Sequence, residues 1–318
     1  MQRIILDGIL GLCVGDALGV PFEFTPREDL KKDTVTKMGS HGTYNQPLGT
    51  WSDDTSMSLC LVDSLSQGLN YFDIMKKFLD WYTEGEYTSH GEVFDIGAAT
   101  KKAILRFSEG VHPLSCGGSQ ELDNGNGSLM RILPILFYLR THYGDALKKN
   151  DEVYTIIHNV SRLTHAHPRT LIACGIYLNI AALIAQNLNM EEAVHTGVQH
   201  AFDYYSQRKE YEPELHHFAR LNDLSFKDIP ETEIHSTGYV VHTLEASIWS
   251  LLNSNNYKDA VLKAVNLGND TDTIATVAGG LAGLHYGADN IPKEWLDNIV
   301  RKDYIIELCN QLEKSLDQ

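Results

Sequence analysis

Hydrophobic residues recur every three or four positions along most of the chain, with polar residues between them. This spacing is typical of α-helices, whereas the strict alternation of a half-buried strand is hard to find. The pattern predicts helices at 4–18, 53–65, 71–83, 96–107, 129–139, 153–163, 170–185, 190–205, 238–252, 257–265, 274–285, 295–300 and 304–316. We therefore predict an all-α fold, a single compact multi-helix domain that spans residues 1–318.

Two stretches interrupt the helical pattern. Residues 206–237 are polar and irregular, and we expect them to form an excursion on the surface of the domain. Residues 115–128 are rich in glycine and asparagine, and the helix predicted after them should be interrupted or kinked at Pro134. A glycine loop that leads into a helix can hold an anion, although many long loops have the same composition.

Composition and charge narrow the class of protein. The formal net charge is −16 and no basic run occurs, which argues against binding nucleic acid through phosphate neutralisation. The apolar stretch 4–20 carries Asp7 and Asp16 and lacks a basic beginning, so it does not resemble a signal peptide, and we expect no run long enough to span a bilayer. The five cysteines form no C-x-x-C pair, which fits a reducing compartment and predicts a cytoplasmic protein.

The candidate chemistry lies in two acidic clusters at the starts of predicted helices. In the first cluster Ser52 is a good N-cap, and Asp53 and Asp54 follow it in the first helical turn, where the helix dipole favours negative charge. Asp270 and Asp272 form the second cluster, again after a glycine and before an apolar helix. Either cluster alone is typical of an ordinary helix start. The repetition suggests one shared site, in which divalent cations would relieve the repulsion between four carboxylates.

Other polar residues are ambiguous when taken alone. Asp16 and Glu23 lie near the end of the first predicted helix, and either could be buried and functional, although a lone acid is more often a surface charge. His165 and His167 are two positions apart and could ligate a metal, but no cysteine or third histidine is spaced to complete a zinc site. The glycines that recur from position 8 to 19 favour close packing against another helix.

Five motifs together resemble the ADP-ribosylglycohydrolases, the family of dinitrogenase-reductase-activating glycohydrolase and the ADP-ribosylarginine hydrolases. The motifs are GDALGVPFE at 15–23, GTWSDDT at 49–55, GNGSLMR at 125–131, TH at 164–165 and GNDTDT at 268–273. Each motif alone is unspecific, whereas five in this order cover most of the chain and are specific. The resemblance implies an all-α hydrolase with a binuclear centre of Mg²⁺ or Mn²⁺.

The resemblance also implies ligands for the metals and for ADP-ribose. The metal ligands would be the hydroxyl and carboxyl groups of both clusters: Ser52, Asp53, Asp54, Asp270, Asp272 and Thr273. Many members have threonine where Ser52 stands, so the hydroxyl group is kept. The loop that binds ADP-ribose would contain Gly125, Asn126, Gly127, Ser128, Met130 and Arg131. Two further residues, His165 and Tyr239, would line the cleft.

Four acids are the catalytic candidates that the resemblance implies. Asp54 and Asp272 would act through the metals. Glu23 matches a glutamate that in relatives approaches the metals from a mobile segment. Asp123 matches an acid that in relatives lies near the scissile bond. Glu23 or Asp123 would assist proton transfer as charge develops on the ribose.

The implied function is hydrolysis of the bond between ADP-ribose and a modified protein side chain, with arginine as the leading candidate. A second interpretation keeps the site but changes the linkage to serine, nucleic acid or a small molecule, because cleft walls outside the motifs choose the leaving group. A third is an immunity or binding protein for an ADP-ribosyltransferase, against which the complete set of acids argues. A generic di-metal phosphoesterase is disfavoured by the lack of histidine-rich ligand sets. We expect a monomer whose partner is ADP-ribose or an ADP-ribosylated protein, not a membrane.

Overall fold

The computed structural model describes residues 3–144, 147 and 150–317. Within these ranges the regular structure consists of α-helices and short 3₁₀ turns, with three isolated β-bridges and no strand, which confirms the all-α prediction. The α-helices are α1 (Ile4–Gly19), α2 (Arg27–Lys32), α3 (Asp53–Leu65), α4 (Tyr71–Glu84), α5 (Ala98–Ser108), α6 (Ile135–Tyr143), α7 (Asp151–Arg162), α8 (Pro168–Ile184), α9 (Met190–Tyr205), α10 (Val240–Leu252), α11 (Tyr257–Asn266), α12 (Thr271–Tyr286), α13 (Lys293–Asn298) and α14 (Lys302–Leu316).

The structure differs from the prediction at the helix expected over 129–139. Helix α6 begins only at Ile135, and residues 126–131 before it lie in bends and turns. Pro134 explains the late start, because proline has no N–H to donate inside a helix and is tolerated at its beginning. The glycine loop therefore does not lead directly into a helix, and its residues do not lie at a helix N-terminus.

The core is organised around α1 and α12, whose backbones are in direct contact. A Cβ atom on Gly11 would lie 2.3 Å from the carbonyl oxygen of Gly279, and one on Gly15 would lie 2.1 Å from that of Ala275. Cβ atoms do not approach other atoms closer than 3.0 Å, so only glycine permits this packing. The contact places the first turn of α12 beside the last turn of α1.

Helix α1 also holds the start of α3. The fully buried carboxylate of Asp16 accepts hydrogen bonds from the backbone N–H groups of Ser52 and Thr55, each at 3.0 Å. These are N–H groups at a helix start, which have no partner within the helix and favour a negative group nearby. Because α1 contacts both α3 and α12 in this way, the N-termini of these two helices come together.

The N-terminal helical stretch Ile4–Phe22 contradicts the expectation that no run is long enough to span a bilayer. It has 19 residues and a mean hydropathy of 1.7, so by length and composition alone it is long and apolar enough to cross a membrane. In the structure 94% of its apolar window is buried inside the protein, where α1 packs against α12, α14 and α3. The stretch thus has the environment of a core helix.

Residues 206–237 contain three 3₁₀ segments, which are Glu212–Asn222, Phe226–Asp228 and Glu231–Glu233. The first segment buries Leu215, Phe218 and Leu221 against the helical core. The excursion is also tied to α10, since the indole N–H of Trp249 donates to the carbonyl of Ile229 at 2.9 Å. Buried apolar side chains and hydrogen bonds to the core make this stretch part of the packed domain.

Candidate active site

The first acidic cluster lies at the start of α3, as the sequence predicts. Ser52 is the N-cap, and its hydroxyl oxygen accepts a hydrogen bond from the backbone N–H of Asp54 at 3.3 Å. The same hydroxyl group donates to the carboxylate of Asp54 at 3.1 Å. Asp53 and Asp54 are both buried in the first turn. The N-cap pattern thus fixes two carboxylates at one helix N-terminus.

The second cluster lies at the start of α12 and touches the first. Asn269 has a left-handed backbone with φ of 61°, and this turn sets Asp270 just before the helix. The hydroxyl group of Thr271 donates to the carbonyl of Gly19 at 2.8 Å, which fixes the helix start against α1. The hydroxyl group of Thr273 donates to the carboxylate of Asp54 at 3.4 Å. The two clusters therefore converge in space although they are distant in the sequence.

Two further carboxylates, Glu23 and Asp95, complete an acid cluster around Asp272. Oxygen atoms of Asp16, Asp54 and Asp272 lie within 4.8 Å of one another, and so do oxygen atoms of Glu23, Asp95 and Asp272. Asp272 belongs to both groups and joins them. This spacing would let metal ions share the carboxylates between the two groups.

Tyr44 closes one side of the acid cluster. Its hydroxyl group faces the carboxylates of Glu23 and Asp95 and lowers the pKa of both. Its ring packs against Phe94 with the ring centroids 5.1 Å apart. The segment that carries Glu23 is held here as well, since the hydroxyl group of Thr43 donates to the carbonyl of Glu23 at 2.5 Å.

Burial and mutual repulsion raise the pKa values of the cluster. Burial is the larger cause for Asp53, Asp54 and Asp272, and the charges of neighbouring acids add to it. Burial also raises the pKa of Glu23 to about 8, with further contributions from the charges of Asp95 and Asp270. A set of carboxylates in this environment holds its full negative charge only with a positive partner.

The oxygen atoms of the cluster fit divalent metal ions. One carboxylate oxygen in each of four residues is buried without a hydrogen-bond partner: Glu23, Asp54, Asp270 and Asp272. Buried polar atoms in folded proteins are normally paired, so such a concentration points to a missing partner. Carboxylate and hydroxyl oxygens are the ligands that hard divalent cations prefer.

The glycine loop lies beside the second cluster. The side-chain amide of Asn126 donates at 2.8 Å to the carboxylate of Asp270 and at 2.8 Å to the hydroxyl group of Thr243. The backbone N–H of Asn126 donates to the carbonyl of Gly238 at 3.1 Å, and Gly125 forms an antiparallel bridge with Tyr239. The loop and the residues before α10 therefore form one wall next to the acids.

The ring of His165 packs against Gly125 and Gly127 of this loop. A Cβ atom on Gly127 would lie 2.8 Å from the His165 ring, so a larger residue here would displace the ring. The ring is buried, and its Nδ1 atom is 2.9 Å from the hydroxyl oxygen of Thr164. Burial lowers the pKa of His165 to about 3, so the ring is neutral at physiological pH.

The second half of the loop motif is buried in the core instead. Ser128 accepts a hydrogen bond from Ser161 at 2.9 Å, and Met130 packs among core residues. Arg131 is fully buried, where it donates to the hydroxyl group of Thr164 at 2.7 Å and lies over the ring of Phe78. These side chains support the loop from behind, and a ligand at its outer surface would meet Gly125, Asn126 and Gly127.

Asp123 lies just before the loop and has a local partner. Its carboxylate accepts a hydrogen bond of 2.8 Å from the backbone N–H of Gln120 and closes a capping box over the 3₁₀ turn Glu121–Asp123. The structure thus brings Glu23 into the acid cluster and leaves Asp123 in the turn that precedes the loop.

Comparisons with known proteins show the family. The model of the ADP-ribosylglycohydrolase family matches residues 2–318. "ADP-ribosylarginine hydrolase Tri1" of Serratia proteamaculans (strain 568) is 34% identical over 307 residues, covering 96% of this chain and 77% of that protein. "ADP-ribosyl-[dinitrogen reductase] glycohydrolase" of Rhodospirillum rubrum is 28% identical over 302 residues, covering 93% and 90%. A solved "ADP-ribosylglycohydrolase-related protein complex" has a TM-score of 0.79 and 28% identity, covering 99% and 98% of the two chains.

The chain belongs to the ADP-ribosylglycohydrolase family. It is accordingly a hydrolase of a glycosidic bond, as the sequence motifs imply. The carboxylates of this ADP-ribosylglycohydrolase are also arranged so that they could bind metal ions.

Asp95 is one site residue of this ADP-ribosylglycohydrolase that sequence reasoning misses. It lies in the irregular segment between α4 and α5, outside each of the five motifs. An isolated acid between Phe94 and Ile96 carries no pattern that distinguishes it from a surface charge. The sequence marks Asp16 only as an ambiguous acid, and the structure shows that it holds the start of α3.

Proposed function

We propose that this ADP-ribosylglycohydrolase removes ADP-ribose from arginine side chains of modified proteins. The observation that carries the proposal is the buried acid cluster with unpartnered oxygens, which directly adjoins the glycine loop through Asn126 and Asp270. The name of the similar protein from Serratia proteamaculans supports arginine as the linkage. The partner would accordingly be an ADP-ribosylated protein.

We further propose that the cluster holds two divalent cations, Mg²⁺ or Mn²⁺. Their ligands would be Ser52, Asp53, Asp54, Asp270, Asp272 and Thr273. When bound, such cations supply positive charge that polarises substrate oxygens and activates water. The two overlapping carboxylate groups that share Asp272 support a pair of ions.

The remaining residues would bind the substrate and move a proton. Backbone groups of Gly125–Gly127 would hold the ADP-ribose moiety, with His165 and Tyr239 as neighbouring walls. Main-chain N–H groups and cations can bind a diphosphate even in a chain with a net charge of −16. Glu23 is the better candidate than Asp123 for proton transfer at the glycosidic bond, because it lies among the carboxylates whereas Asp123 closes a local turn.

A release assay with defined linkages tests the proposal. Purified protein with Mg²⁺ or Mn²⁺ would be incubated with arginine-, serine- and phosphate-linked ADP-ribose substrates, and free ADP-ribose would be measured. We expect release from the arginine linkage, and a loss of release in Asp54→Asn and Asp272→Asn. Asp80→Asn, which changes an acid paired with Lys76 on α4, is the matched control and should stay active.

The other interpretations correspond to other outcomes of this assay. Release from the serine or the phosphate linkage, but not from arginine, would indicate a different substrate for the same site. Tight binding of ADP-ribose without any release would instead support a binding or immunity protein for an ADP-ribosyltransferase. A cytoplasmic location and a monomeric state stay predictions.

A further inference from the structure

Arg169 joins three separate segments of the chain at the edge of the glycine loop. It lies in the first turn of α8, and its side chain is only 5% exposed. Its guanidinium donates to Glu121 at 2.7 Å and to Glu214 at 2.8 Å. The same group lies over the ring of Tyr239, with Cζ 5.7 Å from the ring centroid. These partners belong to the turn before the loop, to the excursion, and to the residue before α10.

Two of these contacts, those with Glu121 and Tyr239, lead to the proposed ADP-ribose site within a few residues. The carbonyl of Glu121 accepts a hydrogen bond from the side chain of Asn124 at 3.0 Å. The carbonyl of Asn124 in turn accepts from the backbone N–H of Val240 at 3.0 Å. Gly125 pairs with Tyr239, and Asn126 then reaches Asp270. Arg169 thus contacts both the turn that precedes the loop and Tyr239, which pairs with the loop at Gly125.

The geometry distinguishes this interaction from an ordinary surface ion pair. Exposed pairs between flexible side chains contribute little to stability. The planar guanidinium of arginine instead binds two carboxylates in fixed directions and can also stack on an aromatic ring. The backbone of Arg169 is itself fixed, because its N–H donates to the Nδ1 atom of His167, the N-cap of α8.

Glu121 depends on Arg169 for its place. Its side chain is 69% exposed and lies 2.7 Å from the guanidinium of Arg169, whereas the ring of His167 lies farther away, at 3.7 Å. The ion pairs of Arg169 among the described residues go to Glu121 and Glu214, not to the carboxylates of the acid cluster. Its influence should therefore fall on the loop and not on the bond-breaking groups.

We propose that Arg169 is a positioning residue that fixes Tyr239 and the loop residues 125–127 in the arrangement that binds ADP-ribose. This inference rests on the proposed function, since it requires that the loop hold ADP-ribose. Arg169 would then contribute to substrate affinity, although it lies outside the five sequence motifs.

The test compares Arg169→Gln with Arg169→Lys in the full chain with its cation. The KM and kcat for release from an arginine-linked substrate would be measured, together with the Kd of free ADP-ribose by calorimetry. We expect Arg169→Gln to raise both KM and Kd about tenfold, with kcat changed less than about twofold. Arg169→Lys keeps the charge and should recover part of this affinity, but it cannot bind both carboxylates as a planar fork.

Arg220→Gln is the matched control. Arg220 also ties the segment Glu212–Asn222 to the core, through an ion pair of 3.2 Å with Glu245, but it lies outside the contacts that lead to the loop. We expect this variant to change Tm and to leave KM unchanged. Should Arg169→Gln fail to fold, Glu121→Gln removes one arm of the same interaction at an exposed carboxylate and should raise KM in the same direction.

Two outcomes separate the inference from the function on which it rests. An active enzyme whose KM and Kd are unchanged in Arg169→Gln, or whose KM rises equally in Arg220→Gln, overturns the positioning role alone. A wild-type protein that neither binds ADP-ribose nor releases it overturns the proposed function itself.

Discussion

Gly19 and Asp272 are in backbone contact, and this contact joins the end of α1 to the second acid cluster. A Cβ atom on Gly19 would lie 2.3 Å from Cα of Asp272 and 2.4 Å from its backbone nitrogen. Neither atom can move without displacing the start of α12. The position of Asp272, the carboxylate shared by both groups of acids, therefore depends on the absence of a side chain on α1.

We predict that Gly19→Ala pushes α12 away from α1 and abolishes most of the hydrolase activity. Overpacking of this kind costs about 1–3 kcal/mol of unfolding free energy. Urea unfolding and the release assay measure the two effects. Gly8→Ala on the same helix is the control, because its new Cβ would meet side-chain ends of Leu284, Leu133 and Phe137 that can shift. Full activity in Gly19→Ala would contradict the prediction.

A second prediction concerns the dependence of stability on cations. Buried carboxylates that repel one another destabilise the protein without a cation, and a ligand at a hundred times its Kd adds about 2.7 kcal/mol of stability. We expect Tm to rise with Mg²⁺ or Mn²⁺ and to fall with a chelator.

The variant Asp54→Asn tests whether the cation binds at these carboxylates. It removes one repelling charge and one ligand together, so it should melt above the wild type in chelator and below it with saturating cation. Asp80→Asn should follow the wild type in both conditions. If the order of Asp54→Asn and wild type is the same with and without cation, the acids do not hold a metal.

Asp95 supplies the third prediction. Its carboxylate lies within 4.8 Å of those of Glu23 and Asp272, although its segment lies outside the motifs. We predict that Asp95→Asn lowers kcat about 10²-fold, as expected for a group that takes part in the reaction or holds its metals. Glu92→Gln, on the same segment, should lower kcat less than about twofold. Steady-state release rates and ADP-ribose binding would be compared, and equal rates for the two variants would exclude a role for Asp95.

The sequence reveals the local parts of this site better than the long-range ones. Ser52 as N-cap and the acids behind it follow from helix-start chemistry, which needs only neighbouring residues. The convergence of the two clusters is suggested by their repeated form and by the small residues of α1 and α12, which allow close packing. The sequence does not indicate Asp95 as a site residue, because its position in the site results from the packing of an irregular segment that has no periodic pattern.

The loop motif shows a different limit. Its residues Gly125 to Arg131 are contiguous, but the chain turns so that Asn126 faces Asp270 while Arg131 lies fully buried over Phe78. Helical periodicity cannot predict which side chains face a cleft in a stretch of turns, since successive residues there follow no common axis. The start of α6 at Ile135 is hard to predict for the same reason, because a stretch of turns precedes it.

The last prediction is a pH dependence of stability at Glu245, outside the active site. Burial raises the pKa of this carboxyl group to about 7, and the nearby positive charge of Arg220 offsets part of that effect. The native state then keeps a proton that the unfolded chain loses near pH 4.3. The stabilisation from this group is complete below that pH and is lost as pH rises through 7, and about 3 kcal/mol of it is lost between pH 4.5 and 8. Glu245→Gln cannot titrate, so its unfolding free energy should rise relative to wild type by about that amount between pH 4.5 and 8. Urea unfolding at several pH values measures this difference.

A second variant moves the pH range of this effect. In Arg220→Gln, which loses the neighbouring positive charge, the pKa of Glu245 should rise further and the loss of stability should occur at higher pH. A difference between Glu245→Gln and wild type that is constant with pH would show that Glu245 is charged throughout this range in the folded protein.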